Sequence, residues 1–316
     1  MSPKRTAFGY KAGFKRKQTI LKTLFAAILV AILGLVPVIY VRLQEHSGNE
    51  RRELRDYYES GDFTAAFIKS GELLNDKPLD SFLLTIHGFS AYELAIAQIN
   101  SYNMLLFIDT CIWSLRKSLL SGENETDGRI HYVLGKAYYY KGQGYADLAV
   151  SYLEKARRFS FSAADIPEYL GLAYAGIRDY RNSVAAFSRA LSENDSAYGS
   201  PSDVLLLSIA RSYLALEEDD SARAYLIHCL DVSRDSRTIT TARLLLGGIY
   251  GKAGDINGAE LEYLKIVNEN GDNAEAYFQL GELYAAQGDS TRARAEWRRV
   301  LRIDPAHSQA RTRLNI

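Results

Sequence analysis

The chain has 316 residues with 38 basic and 38 acidic side chains, 47% hydrophobic and 24% charged residues, and only two cysteines. These values exclude a disulfide-stapled scaffold and an intrinsically disordered chain. The length would allow two domains, but a repeat array can use all of it without a single core.

Charge is unevenly placed. Residues 1–22 carry Lys4, Arg5, Lys11, Lys15, Arg16, Lys17 and Lys22 and no acid, so the remainder is mildly acidic. This basic arm runs into Thr23 to Val41, 19 uncharged residues dominated by Leu, Ile, Val, Ala and Phe. As a helix the run would reach roughly 28 Å, close to the hydrocarbon thickness of a bilayer. It is longer than a signal-peptide core and lacks a small-x-small exit, which favours an uncleaved transmembrane anchor. Arg42 is the only positive residue in the eight positions after the run, so residues 1–22 are expected to stay in the cytoplasm. Residues 42–316 are then expected on the extracytoplasmic face, the periplasmic one in a bacterium.

Downstream, Leu94 to Ile108 is also uncharged, but Gln98, Asn100, Ser101 and Asn103 argue against a second span. Cys111 and Cys229 each sit in apolar helical surroundings and read as small core residues.

The dominant pattern is a period. Gly247, Tyr250, Ala259 and Tyr263 recur 34 residues later as Gly281, Tyr284, Ala293 and Trp297, and Pro305 closes the last copy. Weaker copies lie upstream at Ile209-Ala210 with Tyr213, Ala222, Leu226 and Cys229, at Leu170-Gly171 with Tyr174, Ser183, Phe187 and Ala190, and at Leu134-Gly135 with Tyr138, Ala149, Leu153 and Ala156. Residues 81–120 read as a degenerate helix pair around Gly88 and Trp113, and Tyr57, Gly61, Asp62, Phe63, Ala66 and Pro78 fit an earlier one. Seven repeats result, near 47–80, 81–127, 128–163, 164–202, 203–239, 240–273 and 274–307.

In the last repeat Tyr277, Leu280, Gly281 and Tyr284 form one stripe of a first helix, and Ala293, Trp297 and Val300 the facing stripe of a second. Gly281 lacks bulk, so the two backbones can approach. Gly281→Leu is expected to cost about 1–3 kcal/mol by overpacking, and the same change at Gly122 in the polar loop to be silent.

These residues resemble the tetratricopeptide repeat. The resemblance implies an all-α solenoid of helix pairs in a right-handed superhelix that binds proteins or peptide segments in its concave groove. It places the groove on first-helix residues, here Arg129, Tyr132, Lys136, Tyr139 and Tyr140, with Tyr169, Arg211, Phe278, Gln279 and Glu282 at corresponding positions. Tyr and Arg offer large contact area with a polar tip. The competing account is that these tyrosines only pack on neighbouring helices. The Lys and Asn set of repeats that clamp a terminal carboxylate is missing.

No catalytic motif, cofactor loop or metal-ligand spacing stands out, and His87 and His131 fall on packing stripes. The chain therefore does not read as an enzyme, although a subunit of an envelope-metabolism enzyme is an alternative. Arg292, Arg294, Arg298, Arg299, Arg302, Arg311 and Arg313 read as a solvated face rather than a nucleic-acid site. Ser308 to Ile316 is short for a capping helix, so self-association through the C-terminal end, and with it a mainly structural role, is also considered. The expected role is a membrane-anchored adaptor or scaffold, in secretion or envelope assembly.

Topology can be tested directly. A reporter active only outside the cytoplasm, fused after Ile316, should give signal, and moving the basic cluster beyond Val41 should reduce it; an active cytoplasmic reporter at the same position would overturn the orientation.

Overall fold

The computed structural model describes residues 48–122, 124–194 and 201–316. The basic arm and the apolar run 23–41 lie outside the described residues. Among the described residues no helix is long and apolar enough to cross a membrane. The uncharged Leu94–Ile108 segment is split between two helices, with residues 97–100 at the corner.

The described chain is helical, without strands, and its helices fall into seven antiparallel pairs. They are α1 (residues 48–59) with α2 (Phe63–Asp76), α3 (Ser81–Ile96) with α4 (Ser101–Leu119), and α5 (Gly128–Lys141) with α6 (Ala146–Arg158). Then follow α7 (Ile166–Gly176) with α8 (Tyr180–Asn194), α9 (Asp203–Ala215) with α10 (Asp219–Val232), α11 (Ser236–Lys252) with α12 (Ile256–Glu269), and α13 (Ala274–Ala286) with α14 (Ser290–Ile303). A short α15 (Ser308–Leu314) packs on α14.

Local signals start the helices. Asp62, Asp80, Asn100, Asp127, Asp235, Asp255, Asn273 and Asp289 each accept a backbone N–H of the first turn. The turn inside a pair needs a left-handed residue, supplied by Gly61, Gly254 and Gly288 at φ near +80°. In the fourth and fifth repeats Arg178 and Glu217 take that conformation instead, at φ 62° and 61°. Repeat three departs from the rule: Tyr138 to Ala149 is two residues longer than Tyr284 to Ala293, and the longer turn contains the 3-10 segment Gln143–Tyr145.

Each pair closes where a small first-helix residue meets a bulky second-helix one. A Cβ added to Gly135, Gly247 or Gly281 would come to 2.5 Å of Leu153, Tyr263 or Trp297, and one on Gly171 would enter the Phe187 ring. In the second repeat Gly88 faces Leu115 at 2.6 Å. Trp113, expected to share that core, is instead 57% exposed with Lys117 Nζ 4.4 Å above its ring. Consecutive first helices α3, α5, α7, α9 and α11 also touch one another, which puts the first helices on the tighter, inner side of the stack.

Other expectations resolve on packing grounds. Cys111 and Cys229 are buried and unbridged. His131 is buried with Nδ1 2.8 Å from the Asp127 carbonyl, and His87 stacks on Phe67 at 4.3 Å. Asn124 donates its amide to Ser81, Thr85 and Ser118, so this side chain is held inside repeat two. Gly122 has φ +78°, so a leucine there is strained, contrary to the silent change expected from sequence.

A cleaner comparison lies in α11, where adjacent glycines differ. Gly247 is buried against Tyr263, whereas nothing lies within 4 Å of a Cβ on Gly248. Gly248→Ala should stabilise by about 0.5–1 kcal/mol through helix propensity. Gly247→Ala should destabilise, because the Tyr263 ring has to shift. Thermal melts of the two variants should move in opposite directions; equal shifts would refute the register.

Candidate functional site

The inner face of α5 carries the densest group of side chains that can recognise a ligand. Tyr132 Oη donates to the Asp165 carboxylate at 2.8 Å, and Lys136 Nζ donates to Asp165 Oδ2 at 2.7 Å and to Tyr132 Oη at 3.1 Å. Lys136 also lies 4.5 Å over the Tyr169 ring and 5.1 Å over Tyr132. Tyr139, Tyr140 and Tyr169 meet edge-on at 5.2–6.1 Å, with the Tyr140 and Tyr169 hydroxyls 2.7 Å apart. Arg129 reaches back to repeat one, donating to Tyr58 Oη at 3.0 Å and lying 4.8 Å over Phe89.

The structure thus brings Arg129, Tyr132, Lys136, Tyr139, Tyr140 and Tyr169 together. Several are spent on each other, as the packing account anticipated, so they shape a wall more than they offer free groups. Asp165, which sequence reasoning did not single out, organises them. It stands just before Ile166-Pro167 at the start of α7, a helix-start signal, yet makes no capping bond there. Its carboxylate turns to Tyr132 and Lys136 instead.

Burial tunes these groups. It pushes the Tyr132 hydroxyl up to about 12, with the Lys136 bond opposing and Asp165 assisting. Burial alone would lower Lys136, but its bonds to Asp165 and Tyr132 outweigh that and hold it above the ordinary lysine value. Glu93 on α3 and Glu168 on α7 are half-buried beside the wall and titrate above the usual carboxylate range, because burial outweighs the attraction of Lys136.

Beyond the wall, Tyr139 and Tyr140 border a cavity of about 640 Å³ between repeats three, four and five. Gly142, Ala146, Ala173, Ala175, Gly176, Leu172 and Phe187 line its floor, and Arg211 of α9 is the sole charged residue in its lining. Arg211 is exposed and makes no hydrogen bond or ion pair among the described residues. The arrangement offers an apolar slot, aromatic edges and one free guanidinium. It has no paired nucleophile and base.

The remaining candidates lie elsewhere. Phe278 is buried, its ring 5.1 Å from His307, and Glu282 is held by Arg313 at 2.9 and 2.6 Å. The terminal helix therefore covers these groove positions of the last repeat, its own Ala310 fully buried against the array. Gln279 bonds Glu275 and lines a second cavity, of about 490 Å³, at repeats five to seven.

With this geometry in hand, residues 274–307 match the family model of the tetratricopeptide repeat. The fold is a tetratricopeptide-repeat solenoid. Solved structures agree over longer stretches. The C-terminal part of a TPR repeat-containing protein from Cytophaga hutchinsonii aligns with TM-score 0.58 and 15% identity, over 84% of this chain and 100% of that one. PilW, a type IV pilus biogenesis factor, aligns with TM-score 0.56 and 18% identity over 72% and 98%. YrrB, a TPR protein with an unusual peptide-binding site, aligns with TM-score 0.50 and 19% identity over 64% and 98%. No curated protein matches the chain.

The two half-buried carboxylates give a pH test. In the fold their ionised forms are disfavoured, so at neutral pH they cost stability that is recovered as pH falls through the carboxylate range. Glu93→Gln with Glu168→Gln should therefore raise the melting temperature at neutral pH, and the advantage should shrink on acidification. A double variant less stable at neutral pH would show that Lys136 and Arg129 hold these groups as true ion-pair partners.

Proposed function

We propose that this chain is a membrane-anchored adaptor whose tetratricopeptide-type array captures a peptide segment of another protein on the extracytoplasmic side. The observation that carries the binding role is the cleft across repeats three to five: apolar floor, tyrosine wall, and Arg211 as its single uncompensated charge. An extended or helical segment bearing apolar side chains and one carboxylate fits that lining. The anchor is read from the uncharged run 23–41 and the basic flank before it. The likeness to PilW and YrrB supports the fold, and a role in secretion or envelope assembly is the reading that an anchored, exported array favours.

Arg211 separates binding from stability, because it holds nothing in place. Arg211→Glu should leave the melting temperature unchanged and lower partner recovery about tenfold, the equivalent of about 1.4 kcal/mol. A photo-crosslinking residue at position 211 of the full chain, in its own membranes, should yield discrete segments of other proteins by mass spectrometry. Equal yields from a probe on the outer face at Arg294, or unchanged recovery with Arg211→Glu, would overturn the cleft as the site.

A further inference from the structure

The outer faces of the second helices should all be polar, since nothing packs on them. On α14 they are: Arg292, Arg294, Arg298 and Arg299 are exposed there. On α4 they are not. Tyr102, Leu106 and Trp113 are 69%, 52% and 57% exposed, and Leu120, just past the helix, is 86% exposed. Their spacing places all four within one stripe, while Ile108, Cys111, Ile112 and Leu115 on the opposite side fill the core.

The polar residues within the stripe are specific in sign. Asp109, the only acid on α4, is paired with Lys141 of α5 at 2.5 Å. Arg116, which donates to the Tyr138 hydroxyl at 3.4 Å, and Lys117, over the Trp113 ring, have no carboxylate partner among the described residues. The stripe is thus apolar and aromatic with a cationic lower half.

Position adds a constraint. Arg51 bonds Asp80 at 2.8 Å, and the Ser81 and Ser118 hydroxyls are 3.5 Å apart, so the start of α1, the α2–α3 corner and the end of α4 share one end of the stack. Leu79 is 69% exposed at that end, as Leu120 is at 86%. Only residues 42–47 separate α1 from the apolar run 23–41, and six residues span at most about 20 Å. If that run crosses a bilayer, this end of the array cannot leave the bilayer surface.

We propose that the outer face of α4 lies in the interfacial layer of the same bilayer, with Tyr102, Leu106 and Trp113 at the boundary of headgroups and acyl chains and Arg116 and Lys117 against anionic headgroups. Aromatic rings with a polar edge, flanked by basic residues, are the side chains that partition into this layer. The proposal rests on the reading of 23–41 as an anchor. It makes the second repeat a mount that orients the cleft, rather than a degenerate copy of the others.

The chain's two tryptophans make the test direct. Trp297 is buried in the last repeat and serves as the internal reference. The full chain is reconstituted in vesicles of phosphatidylcholine and phosphatidylglycerol with plain or brominated acyl chains. Brominated lipid should reduce the emission of the wild type and leave that of a Trp113→Phe chain almost unchanged. Leu106→Asp, at an exposed position that costs the fold little, should weaken the quenching while the protein still floats with the vesicles. Flotation without any Trp113 quenching would overturn the proposal and leave the anchor standing. Trp113 shielded from acrylamide but not quenched by brominated lipid would mean a protein cover, a second copy or another chain, and would also overturn it. A chain that washes off the vesicles at high pH would remove the anchor reading and this inference together.

Discussion

Everything in this fold depends on the close approach of the two helices in each pair, set where a residue without a side chain meets a bulky one. Gly135 with Leu153, Gly171 with Phe187, Gly247 with Tyr263 and Gly281 with Trp297 are the same contact built four times. The large partner fills the space that the missing Cβ leaves, so packing density is kept while the backbones come together. Fixing that distance fixes the angle within the pair. The repetition of one angle is what makes a curved stack instead of a bundle. The fifth repeat has Ala210 and Leu226 at this place, both fully buried, a smaller version of the same fit.

Because first helices lie on the inner side, their outward positions become the groove, and composition there decides what can bind. Repeats three and four spend these positions on tyrosines that bond each other and Asp165, which stiffens the wall. With the Tyr132, Tyr140 and Tyr169 hydroxyls already partnered, this wall has little conformational entropy left to lose when a ligand arrives. Arg211 differs because its guanidinium is free, and specificity is expected from it. The tyrosines contribute shape.

Much of this was legible because the repeat contact is local in sequence. Leu-Gly-x-x-Tyr followed by Ala and an aromatic reports both the helix period and the facing stripe, so the pairs in the second half of the chain could be read from spacing. The second repeat was harder, since its helices are longer and 27 residues separate Gly88 from Leu115, against 16 between Gly281 and Trp297. That offset concealed the outward turn of Trp113. Groove membership was legible only in part. Periodicity places Phe278 and Glu282 on the inner face, but the Arg313 and His307 contacts that cover them come from a segment with no period to read. Asp165 carried the opposite difficulty: it looks like a helix cap, and its long-range bonds to Tyr132 and Lys136 leave no mark in the local sequence.

The open cleft sits in the middle of the array for a physical reason. Repeat three carries two extra residues, and its lengthened turn holds the 3-10 segment Gln143–Tyr145 after Gly142, which has φ +117°. This turn is wider than the Gly-Asp turn of the last two repeats, and the elements around it are built from small residues, Ala146, Ala173, Ala175 and Gly176. A Cβ on Gly176 would come within 2.8 Å of Ala146, so the backbones there are already close and no larger side chain can grow in to fill the slot. The void is therefore maintained by the same close approach that builds each pair, while the inner face of the last repeat is covered by α15. In this chain the break in the period and the free guanidinium line the same cleft.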